Sequence, residues 1–216
     1  MDFNDLSQMI IKGDHRGAVE WTQAAMKAGT SPREVLDRGL VPGMDEVGRR
    51  FKANEYHMPE VLIAARAMKG CMAIVRPLIA QAGGQPRGRV VLGTVQGDLH
   101  DIGKNMVGMM LEGAGFDVTD LGTNVTPRQF IAAIEDKRPD IIGMSALLTT
   151  TMPMIGETIK QISAAELRGR VKVMVGGAAV NKAFADDVGA DGYAPDSASA
   201  VEVAKLLLVP HSGGAR

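Results

Sequence analysis

Val90-Val91-Leu92-Gly93-Thr94-Val95-Gln96-Gly97-Asp98-Leu99-His100-Asp101-Ile102-Gly103-Lys104-Asn105 joins an apolar run to a glycine-rich polar turn. A second apolar period follows in Met106-Val107-Gly108-Met109-Met110-Leu111. The pattern predicts a strand, a tight loop and a helix. The loop carries one histidine between two aspartates, at the carboxyl end of a strand, which is the edge where open α/β sheets bind ligands. Glycines at 93, 97 and 103 let backbone approach a bulky ligand closely. Asp98 and His100 stand two apart. A carboxylate so placed accepts the imidazole Nδ1 proton and leaves Nε2 free as a metal ligand.

Two common glycine-loop chemistries fail on spacing. Gly93, Gly97 and Gly103 do not form the Gly-x-Gly-x-x-Gly of dinucleotide sites. A phosphate loop needs four residues between its first glycine and Gly-Lys-Ser/Thr. Here Gly97 stands one residue too far from Gly103-Lys104, and Asn105 replaces the hydroxyl residue. Asp98 and Asp101 would also repel a polyphosphate.

The sequence on either side extends this pattern. Strand-like runs at 89–95, 117–121, 140–145 and 171–175, with a weaker one at 191–194, alternate with helical stretches at 103–114, 127–137, 153–166, 180–188 and 198–208. Repeated βα units imply a parallel sheet covered by helices. Five strands suit a flavodoxin-like, Rossmann-like domain of order 2-1-3-4-5, in which the loops after the first and third strands meet at the switch point.

Residues 1 to about 80 read as helix throughout. Ser31-Pro32-Arg33-Glu34 has the form of a capping box after a stop at Gly29. Val35, Leu36, Leu40, Met44 and Val47 form a stripe with a bend at Pro42-Gly43, and Pro59 opens a helix that turns Val61, Leu62, Ala65, Met68, Met72 and Val75 inward. No such helix buries its stripe alone, so a small bundle is expected. Ala82–Gly88 reads as a polar, flexible linker. The expected organisation is α + α/β: a helical domain over 1–84, then a sheet domain over 85–216, ending in a disordered tail at His211–Arg216.

Composition narrows the classes. The 216 residues carry a net charge of -1 and a pI near 6.4, without the basic excess of a nucleic-acid binder. One cysteine, Cys71, excludes an internal disulfide framework and reads as a packed thiol. Neither a signal-like start nor a membrane-length apolar run is present, so a cytoplasmic protein with no membrane partner is expected.

Gly97-Asp98-Leu99-His100-Asp101-Ile102-Gly103-Lys104-Asn105 closely resembles the cobalamin-binding loop of methionine synthase and of corrinoid methyltransferase proteins. Gly143-Met144-Ser145-Ala146-Leu147-Leu148-Thr149-Thr150-Thr151 resembles that family's Ser-x-Leu segment, and Val175-Gly176-Gly177-Ala178 its Gly-Gly segment, in the same order. Val41–Gly48, Phe51, Met58-Pro59 and Ala65–Lys69 are similar to its helical cap.

The resemblance implies a cobalamin or related corrinoid, in the methylcobalamin form, bound base-off with His100 as lower ligand to cobalt. Asp98 then hydrogen-bonds the other imidazole nitrogen, and Thr151 stands where the family usually has a serine. Asp101 and Ile102 belong to the matched loop, with Leu147 in the second motif. Ser145 and Thr149 match residues around the displaced nucleotide base, while Gly103, Gly176 and Gly177 match places where a side chain would block the cofactor tail. Phe51, Met58 and Val61 match cap positions over the upper corrin face; each also reads as ordinary bundle core. His57, between them, reads as a surface histidine.

The sequence holds no zinc-thiolate set and no barrel-sized domain for activating a methyl donor. The implied role is a methyl carrier, not catalytic alone. Its implied partners are a substrate-specific methyltransferase, a second methyltransferase to tetrahydrofolate or a thiol coenzyme, and a reductive activator of the corrinoid. Methylamines, methanol, aryl methyl ethers and betaines all remain open as donors. The rival readings are the small subunit of an adenosylcobalamin mutase, which lacks this cap, and a cobalamin sensor, which needs an output module. A nucleotide-binding flavodoxin-like domain is the reading left if no corrinoid binds.

Overall fold

Helix starts in the N-terminal region follow local chemistry. Asp2 caps α1 (Phe3–Lys12) by accepting the Asn4 N–H, and Asp14 caps α2 (His15–Lys27) by accepting that of Gly17. The computed structural model describes residues 1–209, so the tail at 211–216 lies outside the described residues. Those residues form two compact units, Met1–Arg87 with Met106–Asp117, and Gly88–Asn105 with Val118 onward.

The first unit differs locally from the sequence reading. Ser31 makes no side-chain cap, so the expected capping box does not form. From α3 (Pro32–Glu34) the chain widens into a π-helical stretch, Val35–Leu40, before α4 (Val41–Lys52). Pro42 lacks an N–H and stands in the first turn of α4, directly after these wider turns. A reciprocal start occurs instead at α5 (Met58–Gln81), where the Glu60 carboxylate accepts the His57 N–H at 2.9 Å. His57 itself is exposed.

Along α5, Val61, Ala65, Met68 and Val75 are buried as expected, but Leu62 is exposed. Ala64, Ala67 and Cys71 complete the inner face, because small side chains let the neighbouring helix α2 approach. Cys71 is fully buried, and burial pushes its thiol pKa up. No helix among the described residues is long and apolar enough to cross a membrane.

In the second unit the strands are β1 (Arg89–Thr94), β2 (Asp117–Asp120), β3 (Ile141–Ser145), β4 (Lys172–Gly176) and β5 (Gly192–Ala194), in sheet order β2-β1-β3-β4-β5. The pairs β1/β3, β3/β4 and β4/β5 are parallel. The connecting helices are α6 (Ile102–Gly113), which from Met106 onward is counted with the first unit, α7 (Pro127–Lys137), α8 (Pro153–Ala164) and α9 (Lys182–Asp187), with α10 (Ser197–Leu207) last. The five expected strands are present in the expected order. Val91, Ile142, Val173 and Val175 are buried with Phe130, Ile155 and Ile159 from the helices, the near-continuous apolar strands that a two-sided sheet demands. Register aligns Thr94 with Ser145 and Ser145 with Gly176, so the loops after β1, β3 and β4 leave the sheet at one level.

Candidate functional site

Three side chains converge beyond that edge. The Asp98 side chain is fully buried, and each of its oxygens has a separate task. Oδ1 accepts from the His100 N–H at 3.0 Å and lies 2.7 Å from His100 Nδ1. Oδ2 accepts from the Thr151 hydroxyl at 2.7 Å and from the Leu147 N–H at 2.8 Å. A carboxylate only accepts, so Nδ1 carries the proton of that bond. Burial alone would raise the Asp98 pKa. The bonds from the Thr151 hydroxyl, the His100 N–H and ring, and the Leu147 N–H outweigh it and hold the carboxyl well below the usual range.

His100 is thereby fixed by one edge while the rest of its ring faces outward, with the side chain 51 % exposed. No described group bonds Nε2. The loop itself is fastened by backbone. The Thr94 hydroxyl donates to the His100 carbonyl at 3.0 Å. Gly97, at φ +83°, donates its N–H to Asn124 Oδ1 at 2.8 Å, and the Asn124 N–H returns a bond to the Asp98 carbonyl at 2.9 Å. Asn124 was not singled out from sequence. It sits in the left-handed region at φ +54°, which asparagine tolerates better than most residues, and that turn lets it clasp the loop from the β2 side.

The surroundings are apolar and open. Leu99 is 71 % and Ile102 69 % exposed, and Leu147 and Leu148 are also exposed beside the Asp98 bonds. Two of these exposed aliphatic residues, Leu99 and Ile102, flank the imidazole in the loop, and the other two follow β3 and reach Asp98 through their backbone. Leu99 and Leu148 were also missed; the available signal was an aliphatic residue inside an otherwise polar loop. A Cβ added at Gly103 would meet nothing within 4 Å, so space beside the loop is open there.

The remaining sequence-chosen residues occupy varied places. Ser145 is half-buried at the end of β3 and its carbonyl accepts the Val95 N–H; Asp101 is half-buried and Thr149 exposed. The glycine pair has a reason within the chain's own packing. A Cβ at Gly176 would come within 2.7 Å of the Ala194 carbonyl oxygen, and one at Gly177, where φ is +114°, within 2.1 Å of that of Ala146. In the helical unit Val61 is fully buried, Phe51 half-buried and Met58 exposed.

The donor set suits a metal already held by a ring. Among the described residues no three His, Cys, Asp or Glu side chains gather to bind a bare ion. A single oriented imidazole with an unbonded Nε2 would instead add one nitrogen ligand to a metal that a bound cofactor brings with it.

Comparison with known proteins points the same way. Two family models, each described as a B12 binding domain, match residues 88–202 and 2–76. A corrinoid protein of Desulfitobacterium hafniense (strain Y51) is 42 % identical over 208 residues, covering 95 % of this chain and 96 % of the relative. The dimethylamine corrinoid protein of Methanosarcina barkeri is 44 % identical over 183 residues, 84 % of this chain and 86 % of that protein. In the crystal structure of the methanol:cobalamin methyltransferase complex of M. barkeri, one chain superposes with a TM-score of 0.83 at 30 % identity, over 94 % of this chain and 77 % of that one. With the helical and the sheet region both matched, the chain belongs to the B12-binding family of corrinoid proteins.

Proposed function

We propose that the protein carries a methyl group on a corrinoid bound base-off, with His100 Nε2 as its lower ligand. The observation that carries this reading is the buried Asp98 between His100 Nδ1 (2.7 Å) and the Thr151 hydroxyl (2.7 Å), which leaves Nε2 directed away from its only side-chain partner. A bound corrinoid would supply a cobalt centre that accepts and releases the methyl group. Asp98 holds the imidazole in one tautomer and orientation, and Thr151 and the Leu147 N–H hold Asp98. Exposed Leu99, Ile102, Leu147 and Leu148 would lose their water against a bound corrinoid.

The displaced nucleotide tail would pass Gly103 toward Ser145, Thr149, Gly176 and Gly177, with Asp101 and Gly97 shaping the loop. Residues 1–84 are read as a cap domain, in which Phe51, Met58 and Val61 would cover a bound corrinoid, and residues 85–216 as the cofactor domain. Relatives named for dimethylamine, trimethylamine and methanol systems support the carrier role. The partners are then a substrate-specific methyltransferase, a second one serving the acceptor, and a reductive activator, all met in the cytoplasm.

The test is reconstitution with hydroxocobalamin, reduction to cobalt(II) and EPR. A histidine-nitrogen superhyperfine pattern, lost in His100→Ala, is the expected result; a dimethylbenzimidazole nitrogen overturns the reading. Methylation of the reduced protein by a methylamine or methanol at a useful rate only with a cognate methyltransferase would separate carrier from self-sufficient enzyme.

A further inference from the structure

Asp98 and Lys104 are the two charged side chains buried among the described residues, and they flank His100 at a distance of six positions in sequence. Asp98 is accounted for by the imidazole it holds. Lys104 is not used by the reading above, yet its side chain is only 2 % exposed. Burying a charge is costly unless it is paired and hydrogen-bonded, so its partners indicate what the position requires.

Lys104 Nζ donates to Asp120 Oδ2 at 2.5 Å and to Asn105 Oδ1 at 2.8 Å. Asn105 Nδ2 in turn donates to Asp101 Oδ2 at 3.0 Å, and the Asn105 N–H to the Asp101 carbonyl at 2.8 Å. Asp120 is held on its other oxygen by the Gly122 N–H at 2.9 Å. A continuous chain of bonds thus runs from the end of β2, through Lys104 and Asn105, to the residue next to His100. It meets the loop on the side opposite Thr151 and Leu147.

We propose that Lys104 is a positioning residue for the His100 ligand, fixing the junction of loop and α6 from the β2 side as Asp98 fixes the imidazole from the β3 side. Asp98 alone restrains one ring nitrogen. The direction of the ring also depends on where the His100–Asp101 peptide lies, and Asp101 is tied down through Asn105 and Lys104. The inference rests on His100 being the ligand, but the chain of bonds stands in the protein without a cofactor.

Lys104→Met separates positioning from simple stability. Methionine keeps the length and apolar stem of lysine. Asp120 is 44 % exposed, so its carboxylate regains water when the ammonium is removed, and the fold survives. Asp120→Asn breaks the same chain from the other end.

Three measurements are read on the full chain. Circular dichroism and thermal melting are expected to stay near wild type. In the protein without cofactor, the His100 ring resonances in 15N-labelled samples are expected to shift and broaden in both variants. After loading with hydroxocobalamin and reduction, the histidine-nitrogen pattern is expected to fade in part, with cobalamin affinity lowered about 10-fold to 100-fold, as for loss of a partner behind a metal ligand. The double variant should do no worse than either single one, since both cut one chain.

Unchanged ring resonances in a folded Lys104→Met protein would overturn the proposal. If wild type itself shows no histidine nitrogen on cobalt, the carrier reading fails, while the resonance measurement still decides whether Lys104 positions His100. If Lys104→Met does not fold, Asp120→Asn carries the same two readouts.

Discussion

Charge is handled in opposite ways in the helical unit and around the His100 loop. In the helical unit Glu46 bonds Arg49 at 2.8 Å and Arg50 at 2.7 Å, and Arg49 also reaches Glu55, with Arg49 and Glu55 exposed and Glu46 and Arg50 half-buried but still reached by water. Around the loop, Asp98 and Lys104 are withdrawn from water, Asp98 bonded to His100, Thr151 and Leu147, and Lys104 to Asn105 and Asp120. Both settings depress a carboxyl. Hydrogen bonds from Arg49 and Arg50 bring Glu46 down to about 2 against a small burial effect, and Asp98 is also held well below its ordinary range. Equal direction does not mean equal consequence. An exposed pair exchanges water for a partner at little net gain and is screened by salt, whereas a buried acceptor leaves several donors stranded when removed.

The largest effect is therefore expected from Asp98→Ala. It takes the acceptor from the Leu147 and His100 N–H groups and leaves the Thr151 hydroxyl only its second acceptor, the Leu148 carbonyl at 3.0 Å, and a loss of about 2–4 kcal/mol in unfolding free energy is expected by denaturant titration. A loss below about 0.5 kcal/mol would mean that the buried carboxylate matters no more than a surface one.

Thr151 comes next. Thr151→Val keeps the shape and removes the donor to Asp98 Oδ2, so a cost of about 1–2 kcal/mol is expected, with Thr151→Ser restoring most of it. Equal melting of the valine and serine variants would show that the hydroxyl is not what the position supplies.

The pH dependence sharpens the same contrast. The folded Asp98 carboxyl binds its proton more weakly than the unfolded one, whose pKa is about 3.9. Its contribution is full above that value and is lost progressively as pH falls below it. The gap in melting temperature between wild type and Asp98→Asn should accordingly narrow as pH is lowered from 5 toward 3. Glu46 has the same sign, but about 1 M salt, where screening acts over roughly 3 Å, should erase its share and leave that of Asp98. A gap that widens on acidification would contradict the assigned direction.

The smallest change is expected from Glu46→Gln, a shift in denaturant midpoint close to experimental error at physiological salt. A drop comparable to that of Asp98→Ala would break the comparison, by showing that the surface cluster of the helical unit is a structural centre.

What could be read in the chain followed from how far apart the partners lie. Asp98 and His100 share one loop, so their pairing was legible two residues apart. Thr151 stands 53 positions from Asp98 and was reached only through an ordered set of family-like motifs. Lys104 opens a helix beside Gly103 and has the local pattern of a solvated position. Its burial depends on Asp120, which the fold alone brings alongside. Asn124 and Leu148 escaped for the same reason, since each matters through neighbours from another loop.

By itself the sequence determined the alternation of strand and helix, the parallel order of the sheet, the helical character of residues 1 to about 80 and the histidine at the sheet's functional edge. These depend on periodicity, turn residues and neighbours within a few positions. Tertiary structure decided the π-helical stretch ahead of Pro42, the outward turn of Leu62, and the burial of Lys104 with its bonds to Asp120 and Asn105. Each of these settles which group loses its water, and that is fixed only when distant segments pack together.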